Sequence, residues 1–221
     1  MAAGGIKMYS IREIFRRCLS GTCPLCGWSA RAGDLCLPCE VTVRCERSLS
    51  QLPSGVTVIA ATHYTSPADQ LMRAFKEGGQ LNHAGLFARL LWSTMRSAQS
   101  PLPSLAALVP IPSDILAAQR RGFNPACEIA VELSRLMRLP VRRLWLTRTR
   151  SGDSQKSLGR VARRRSVCDL YVCDLTLPDI WVGLVDDVTT TGSTLEAAAY
   201  ALRQAGVRGV VGLVGAKTPL I

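Results

Sequence analysis

Asp186 and Asp187 stand side by side after the apolar run 183–185. Val188 follows, then Thr189, Thr190, Thr191, Gly192, Ser193 and Thr194. An alanine-rich helical pattern begins at Ser193 or Thr194. A strand that turns into a helix in this way presents successive backbone N–H groups, and the positive end of the helix dipole, to one anion. Thr190, Thr191, Ser193 and Thr194 add hydroxyl donors, and Gly192 lets the backbone approach closely. The pattern predicts a cradle for a phosphate group. Carboxylates facing that phosphate would repel it. Set one step away, they accept hydrogen bonds from sugar hydroxyls or help hold Mg2+. A ribose 5-phosphate, with vicinal hydroxyls and a phosphate, satisfies both halves. The plainer alternative is that Asp187 caps the turn and the threonines fill it. The string as a whole favours the ribose phosphate.

The second constellation is Cys23, Cys26, Cys36 and Cys39, two C-x-x-C knuckles. Each knuckle brings two thiolates to one tetrahedral ion, and four thiolates close its shell. This predicts a structural zinc site with no open position for chemistry. A redox C-x-x-C is the alternative, but it has no need of a second pair. So small a segment has too little core to fold without the ion. Cys18 and Cys45 flank it at poorer spacing, while Cys127, Cys168 and Cys173 lie in apolar contexts that predict burial. His63 and His83 are isolated and read as structural.

The elements that must position these residues follow from periodicity and punctuation. Residues 56–64 are rich in β-branched side chains and predict a strand. Ser66 as N-cap and Pro67 open a helix that Gly78 and Gly79 end. A second helix covers 82–98, and 105–112 reads as a strand running into a proline-bounded turn. Asn124 and Pro125 start a helix that buries Ile129, Leu133 and Leu136 or Met137, with Phe123 as its staple. Residues 142–146 predict a strand, and 147–166 a long polar loop. Continuous apolar runs at 180–185 and 207–218 predict strands covered on both faces. Strands alternating with helices argue for an α/β domain with a mostly parallel sheet flanked by helices. The expected organisation is an N-terminal helix and cysteine module over 1–50, a polar linker at 48–55, and the α/β domain over 51–221.

With 221 residues, 48% hydrophobic and 19% charged, the composition is globular. No apolar stretch of about 18 residues occurs, so no membrane helix is expected. The first 20 residues lack a charged region leading into a long apolar core and make a poor signal peptide. A cytoplasmic location is therefore expected. The formal net charge of +11 is uneven: residues 142–165 hold eight arginines and Lys156 against Asp153. That segment suits an anionic partner such as phosphate, pyrophosphate or nucleic acid.

The string "GLVDDVTTTGST" closely resembles the phosphoribosyl pyrophosphate (PRPP) motif of type I phosphoribosyltransferases. "CPLCGWSARAGDLCLPC", "VPIPSDILAAQRRGFN" and "RTRSGDSQKSLGRVARRR" further resemble the ComF/GntX family, competence-associated proteins of that fold. The resemblance runs in order from residue 23 to about residue 217. Two positions depart from it, Pro125 where the family usually has Gln and Ser166 where it often has Asn. It implies a type I phosphoribosyltransferase-like sheet, with Asp186 and Asp187 as the catalytic pair on the ribose hydroxyls and residues 189–194 around the 5-phosphate. It places the pyrophosphate loop at Pro110, Ile111, Pro112 and Ser113, where backbone N–H groups would bind. The plainer alternative there is an ordinary proline turn.

Breaking the bond from ribose C1 to pyrophosphate builds negative charge on the leaving group, which Mg2+, Arg and Lys stabilise. Arg148, Arg150, Lys156 and Arg163, with Gln155, are candidates for a lid over pyrophosphate. The same arginine density over 142–165 fits a single-stranded DNA surface, although it carries no aromatics for stacking beyond Trp145 near its start. Lid and DNA surface stay open as alternatives, beside a merely solvated loop. The expected function is PRPP binding with Mg2+, and transfer or sensing of its ribose 5-phosphate, linked to DNA uptake or nucleotide metabolism. The alternatives are a non-catalytic PRPP-binding module that handles single-stranded DNA, and an adaptor with a vestigial pocket.

Overall fold

The computed structural model describes residues 20–44, 49–98, 102–149 and 170–219. The helix expected before residue 20, Cys18, Cys45, Cys168 and the arginine-rich stretch 150–169 lie outside the described residues. The chain divides into two compact units between Thr42 and Val43. In the first, β1 (Ser20–Thr22) pairs antiparallel with β2 (Ser29–Arg31), and α1 (Leu37–Val43) follows. The tight turn between the strands is closed by Cys23 N donating to Trp28 O and Gly27 N to Cys23 O.

The second unit is built on a five-stranded sheet. Its strands are β3 (Leu49–Gln51), β4 (Thr57–His63), β5 (Leu105–Pro110), β8 (Trp181–Thr189) and β9 (Gly209–Lys217), in the order β3-β4-β9-β8-β5. All neighbours are parallel except β3, which runs antiparallel to β4. The helices are α2 (Ala68–Lys76), α3 (Asn82–Ser97), α4 (Ile115–Arg121), α5 (Pro125–Met137) and α6 (Ser193–Gln204). A separate two-stranded ribbon joins β6 (Thr147–Arg148) to β7 (Tyr171–Val172). The mostly parallel, helix-flanked α/β sheet expected from the sequence is present.

Strand alternation sends neighbouring side chains to opposite faces. In β9, a Cβ at Gly212 would sit 3.2 Å from Val58 and 3.4 Å from Leu195, the latter in α6. One at Gly215 would meet Met72 of α2 at 3.0 Å and Ile129 of α5 at 3.2 Å. So α6 and the β6–β7 ribbon cover one face, and α2, α3 and α5 the other. The first face buries Val58, Ala60, Val109, Leu184, Leu195, Leu202 and Tyr171 in one cluster. On the second, Leu71, Phe75, Phe87, Leu91 and Leu133 are fully buried, each worth roughly 1.5–3 kcal/mol relative to exposure.

Both outer strands are guarded. β3 has only three residues. Along β5, Leu108 N donates to Pro140 O (2.9 Å), and Arg142 N donates to Leu108 O (2.8 Å).

Several local expectations are corrected. Pro67, not Ser66, holds the N-cap position of α2, without a side-chain cap. The stretch 48–55 is not all linker, because Leu49–Gln51 joins the sheet. Residues 142–146 form a turn, with Leu144 exposed and the Arg142 guanidinium 5.7 Å from the Trp145 ring centre; only Leu146 is buried. α4 was not expected: its apolar Ile115 and Leu116 face solvent, so it lacks an amphipathic signature. Phe123 packs on Phe75 of α2 at 5.6 Å instead of stapling α5. Asn124 does cap α5, accepting from Ala126 N, and Ile129 and Leu133 are buried while Leu136 is exposed. His83 is a core residue, its Nδ1 3.1 Å from Leu71 O. Cys127 is buried and Cys173 half-buried.

Candidate functional site

β8 does not stop before the carboxylates. It continues through Asp186 and Asp187 to Thr189, which pairs with Lys217 of β9. The turn therefore shrinks to 190–192, and the two carboxylates, adjacent in a strand, point to opposite faces of the sheet. Asp186 is 8% exposed and lies on the face of Tyr171. Asp187 is turned to the other face, where Lys76 Nζ of α2 sits 2.9 Å from its Oδ2. Each also accepts a backbone N–H: Asp186 Oδ1 from Asp187 N (2.9 Å) and Asp187 Oδ1 from Val188 N (2.6 Å). Burial pushes the Asp186 carboxyl well above the usual carboxylate range, and the charge of Asp187 adds to this. The Asp187 N–H and Lys76 oppose it without reversing it.

The carboxylates open onto a cavity of about 220 Å³ at the carboxyl end of the sheet. Ile111, Pro112, Ser113, Arg148 and Thr194 line it with them, as expected of one site. Asp114, Arg121 and Asn124 also line it, in the stretch that the family resemblance sets near the ligand, and so do Lys76 and Tyr171, which sequence reasoning did not assign there. The "RRGFN" stretch was the available signal for Arg121 and Asn124. Lys76 and Tyr171 come from a helix and a short ribbon that carry no motif. Burial pushes the Tyr171 phenol up, with the charge of Arg148 opposing and that of Asp186 adding to it. Asn124 Nδ2 donates to Ile111 O (2.9 Å), tying the α5 cap to the proline turn.

Other expected residues stand nearby but do not line the cavity. Thr189 is buried at the end of β8, and Thr190 and Thr191 are exposed in the turn. Thr191 Oγ1 donates to Ser193 Oγ (3.2 Å), so these hydroxyls are partnered with each other. Gly192, at φ 82°, caps α6, and a Cβ there would meet Leu52 Cδ2 at 2.4 Å. Its lack of a side chain is thus needed for the left-handed turn and for Leu52. In the 110–113 turn, Pro110 and Pro112 have no N–H, and Ile111 donates its own to Val185 O (2.9 Å). Ser113 is the next residue there that carries an N–H, and it lines the cavity. Arg150, Lys156 and Arg163 lie outside the described residues.

In the other unit, the Sγ atoms of Cys23, Cys26, Cys36 and Cys39 all lie within 4.8 Å of one another. Burial works against the Cys23 thiolate, yet N–H groups of Cys36, Cys26 and Leu25 bring its pKa down to about 6. The Cys39 thiol is pushed up by its neighbours Cys26 and Cys36. Sulfurs this close ionise together only around a cation. The four cysteines can hold a metal such as zinc.

These features define a class: an α/β protein with a carboxylate pair at the carboxyl end of a parallel strand, a helix-opening turn behind it, and a separate four-cysteine cluster. No protein-family model matches the chain. Competence protein F of Haemophilus influenzae is 32% identical over 202 residues, covering 85% of this chain and 86% of its own. The DNA utilization protein YhgH of Salmonella typhi is 30% identical over 188 residues, 83% of this chain and 78% of its own. Competence protein ComFC of Bacillus subtilis is 28% identical over 201 residues, 90% and 78% of the two chains. The chain belongs to the ComF family of competence proteins. Among solved structures, the purine phosphoribosyltransferase of Pyrococcus horikoshii Ot3 covers 66% of this chain and 81% of its own at 16% identity. Its TM-score of 0.36 is too low to argue from.

Proposed function

We propose that the chain binds PRPP with Mg2+ in the carboxylate cavity and transfers its ribose 5-phosphate to a nitrogen nucleophile. The observation that carries this is one cavity bounded by Asp186, Asp187, the 111–113 turn, Thr194, Lys76, Arg121 and Arg148. Asp186 and Asp187 accept from the ribose hydroxyls. The start of α6 takes the 5-phosphate. The proline turn and Arg148, with Arg150, Lys156 and Arg163 of the arginine-rich stretch, take the pyrophosphate. In the reaction the bond from C1 to the pyrophosphate oxygen breaks and a bond from C1 to nitrogen forms, pyrophosphate leaving with the bonding pair. The protein's cations face that developing charge. The carboxylate oxygens of Asp186 and Asp187 on this cavity are hard donors of the kind that Mg2+ takes. When bound, it supplies further positive charge at the pyrophosphate. The four cysteines hold a structural zinc ion.

The test is calorimetric titration of zinc-loaded protein with PRPP and Mg2+, beside Asp187→Asn. The expected result is saturable binding by the unaltered chain and a loss of about tenfold or more in the variant, the cost of one charge-assisted contact. Absence of binding by the unaltered chain would mean a vestigial pocket.

The relatives' names, two competence proteins and a DNA utilization protein, favour one further reading. In it, the site is retained for binding alone and residues 142–165 bind single-stranded DNA in the cytoplasm.

A further inference from the structure

Beside the carboxylate cavity lies a second one, of about 390 Å³. The two share Lys76, Ala117 and Arg121 as a common wall. Beyond that wall the second cavity is lined by Arg120, Phe123 and Glu77. Its chemistry differs from that of the first. Arg120 and Arg121, from the last turn of α4, line it together with Lys76 at the end of α2, whose ammonium is also ion-paired with Asp187. The Nε–H of Arg121 is buried and has no hydrogen-bond partner among the described residues. A buried guanidinium donor left unpaired is costly unless a ligand atom completes it. The planar guanidinium fork of arginine suits a phosphate oxyanion.

The wall also carries a ring. Gly122, at φ 78°, turns the chain back after α4. This lays Phe123 against Phe75 at 5.6 Å, with Phe123 only half-buried and on the cavity lining. The two rings are tilted by 39°, so Phe75 steadies Phe123, and a half-buried ring on a cavity lining can stack a planar heterocycle. Glu77, exposed at the end of α2, is an acceptor among donors. It suits an exocyclic amino group.

We propose that this second cavity is a nucleotide site: Arg120, Arg121 and Lys76 hold the phosphate of a nucleoside monophosphate, Phe123 stacks its base, and Glu77 accepts from the base's amino group. The site goes beyond the PRPP reading and needs only the wall that the two cavities share.

The test is calorimetric titration of the full zinc-loaded chain with dAMP, with deoxyribose 5-phosphate as the ring-free control. The expected result is that dAMP binds about tenfold or more tightly than the control, the size of one stacked base. Arg120→Gln, at an exposed position, is expected to weaken dAMP about tenfold. Phe123→Leu should weaken dAMP but not the control. Equal affinity for dAMP and deoxyribose 5-phosphate overturns the proposal in favour of a simple anion site. So does indifference of dAMP binding to Arg120→Gln, which cannot be put down to misfolding. PRPP is titrated in parallel. If PRPP fails to bind while dAMP behaves as expected, the proposed function falls and the nucleotide site stands; the reverse pattern sinks the nucleotide site alone.

Discussion

Asp186 and Asp187 are neighbours in sequence and opposites in space. One meets Tyr171 beneath the β6–β7 ribbon; the other meets Lys76. The division of labour follows from burial. Asp187 has a cation at 2.9 Å, whereas Asp186 has one backbone N–H, the charge of Lys76 without an ion pair to it, and a carboxylate beside it. Its raised pKa carries a sign for stability. An unfolded aspartate releases its proton at about pH 3.9. The folded protein holds the Asp186 proton to higher pH, so stability falls as pH rises from about 4 toward the folded value. Asp186→Asn keeps an acceptor for Asp187 N–H and removes the buried charge. The variant should melt higher than the unaltered protein at pH 7, with the gap closing near pH 4. Each 1 kcal/mol of relief appears as about 2–4 °C in Tm for a chain of this size. A gap that is absent at pH 7, or that is constant with pH, would show that burial of Asp186 has been misjudged.

At the scale of elements, the knuckles and the β8–α6 unit show what kind of signal a sequence carries. The knuckle spacing is local, and the cysteines it named do converge. The proposed zinc ion should be present at about one per chain. Cys39→Ser, which leaves three thiols, should cut that content sharply, measured by metal analysis after chelator wash. Full retention would point to a fourth ligand elsewhere. The start of α6 at Ser193 was legible from its hydroxyl and alanine pattern, and the cap of α5 from Asn124 and Pro125. The end of β8 was not. Two acids read as the close of an apolar strand, but pairing with β9 through Thr189 carries the strand past them. α4 was illegible for the opposite reason: its helix rests on the Asp114 cap, which accepts from Leu116 N and Ala117 N, and on Gly122, not on a buried face. Lys76 and Tyr171 reach the cavity by tertiary packing alone, which no window of sequence reports.

For the whole molecule, charge is the dominant long-range property. Most of the +11 resides in one stretch, with residues 166–221 net negative. If residues 142–165 bind single-stranded DNA, log K should fall with log salt at about −0.7 per phosphate neutralised. Replacing Arg163, Arg164 and Arg165 by Gln should then flatten that slope by about 2. A slope unchanged by the triple replacement would assign those arginines elsewhere, the pyrophosphate lid being the standing alternative. At this scale the sequence was informative about which partners to test and silent about the second cavity, whose walls come from two separate segments, 76–79 and 117–123.

The guarded outer strands of the sheet have a consequence of another kind. A bare strand flank is a template on which a second chain can add and begin a fibre. Here one flank is occupied by residues 140–142 and the other is cut to three residues. Growth of that kind has no long, open place to start while this sheet stays folded. Cross-β growth on the β5 edge would first require 140–142 to peel away from Leu108. Its onset should therefore track local opening of that seam and lag behind simple crowding of copies.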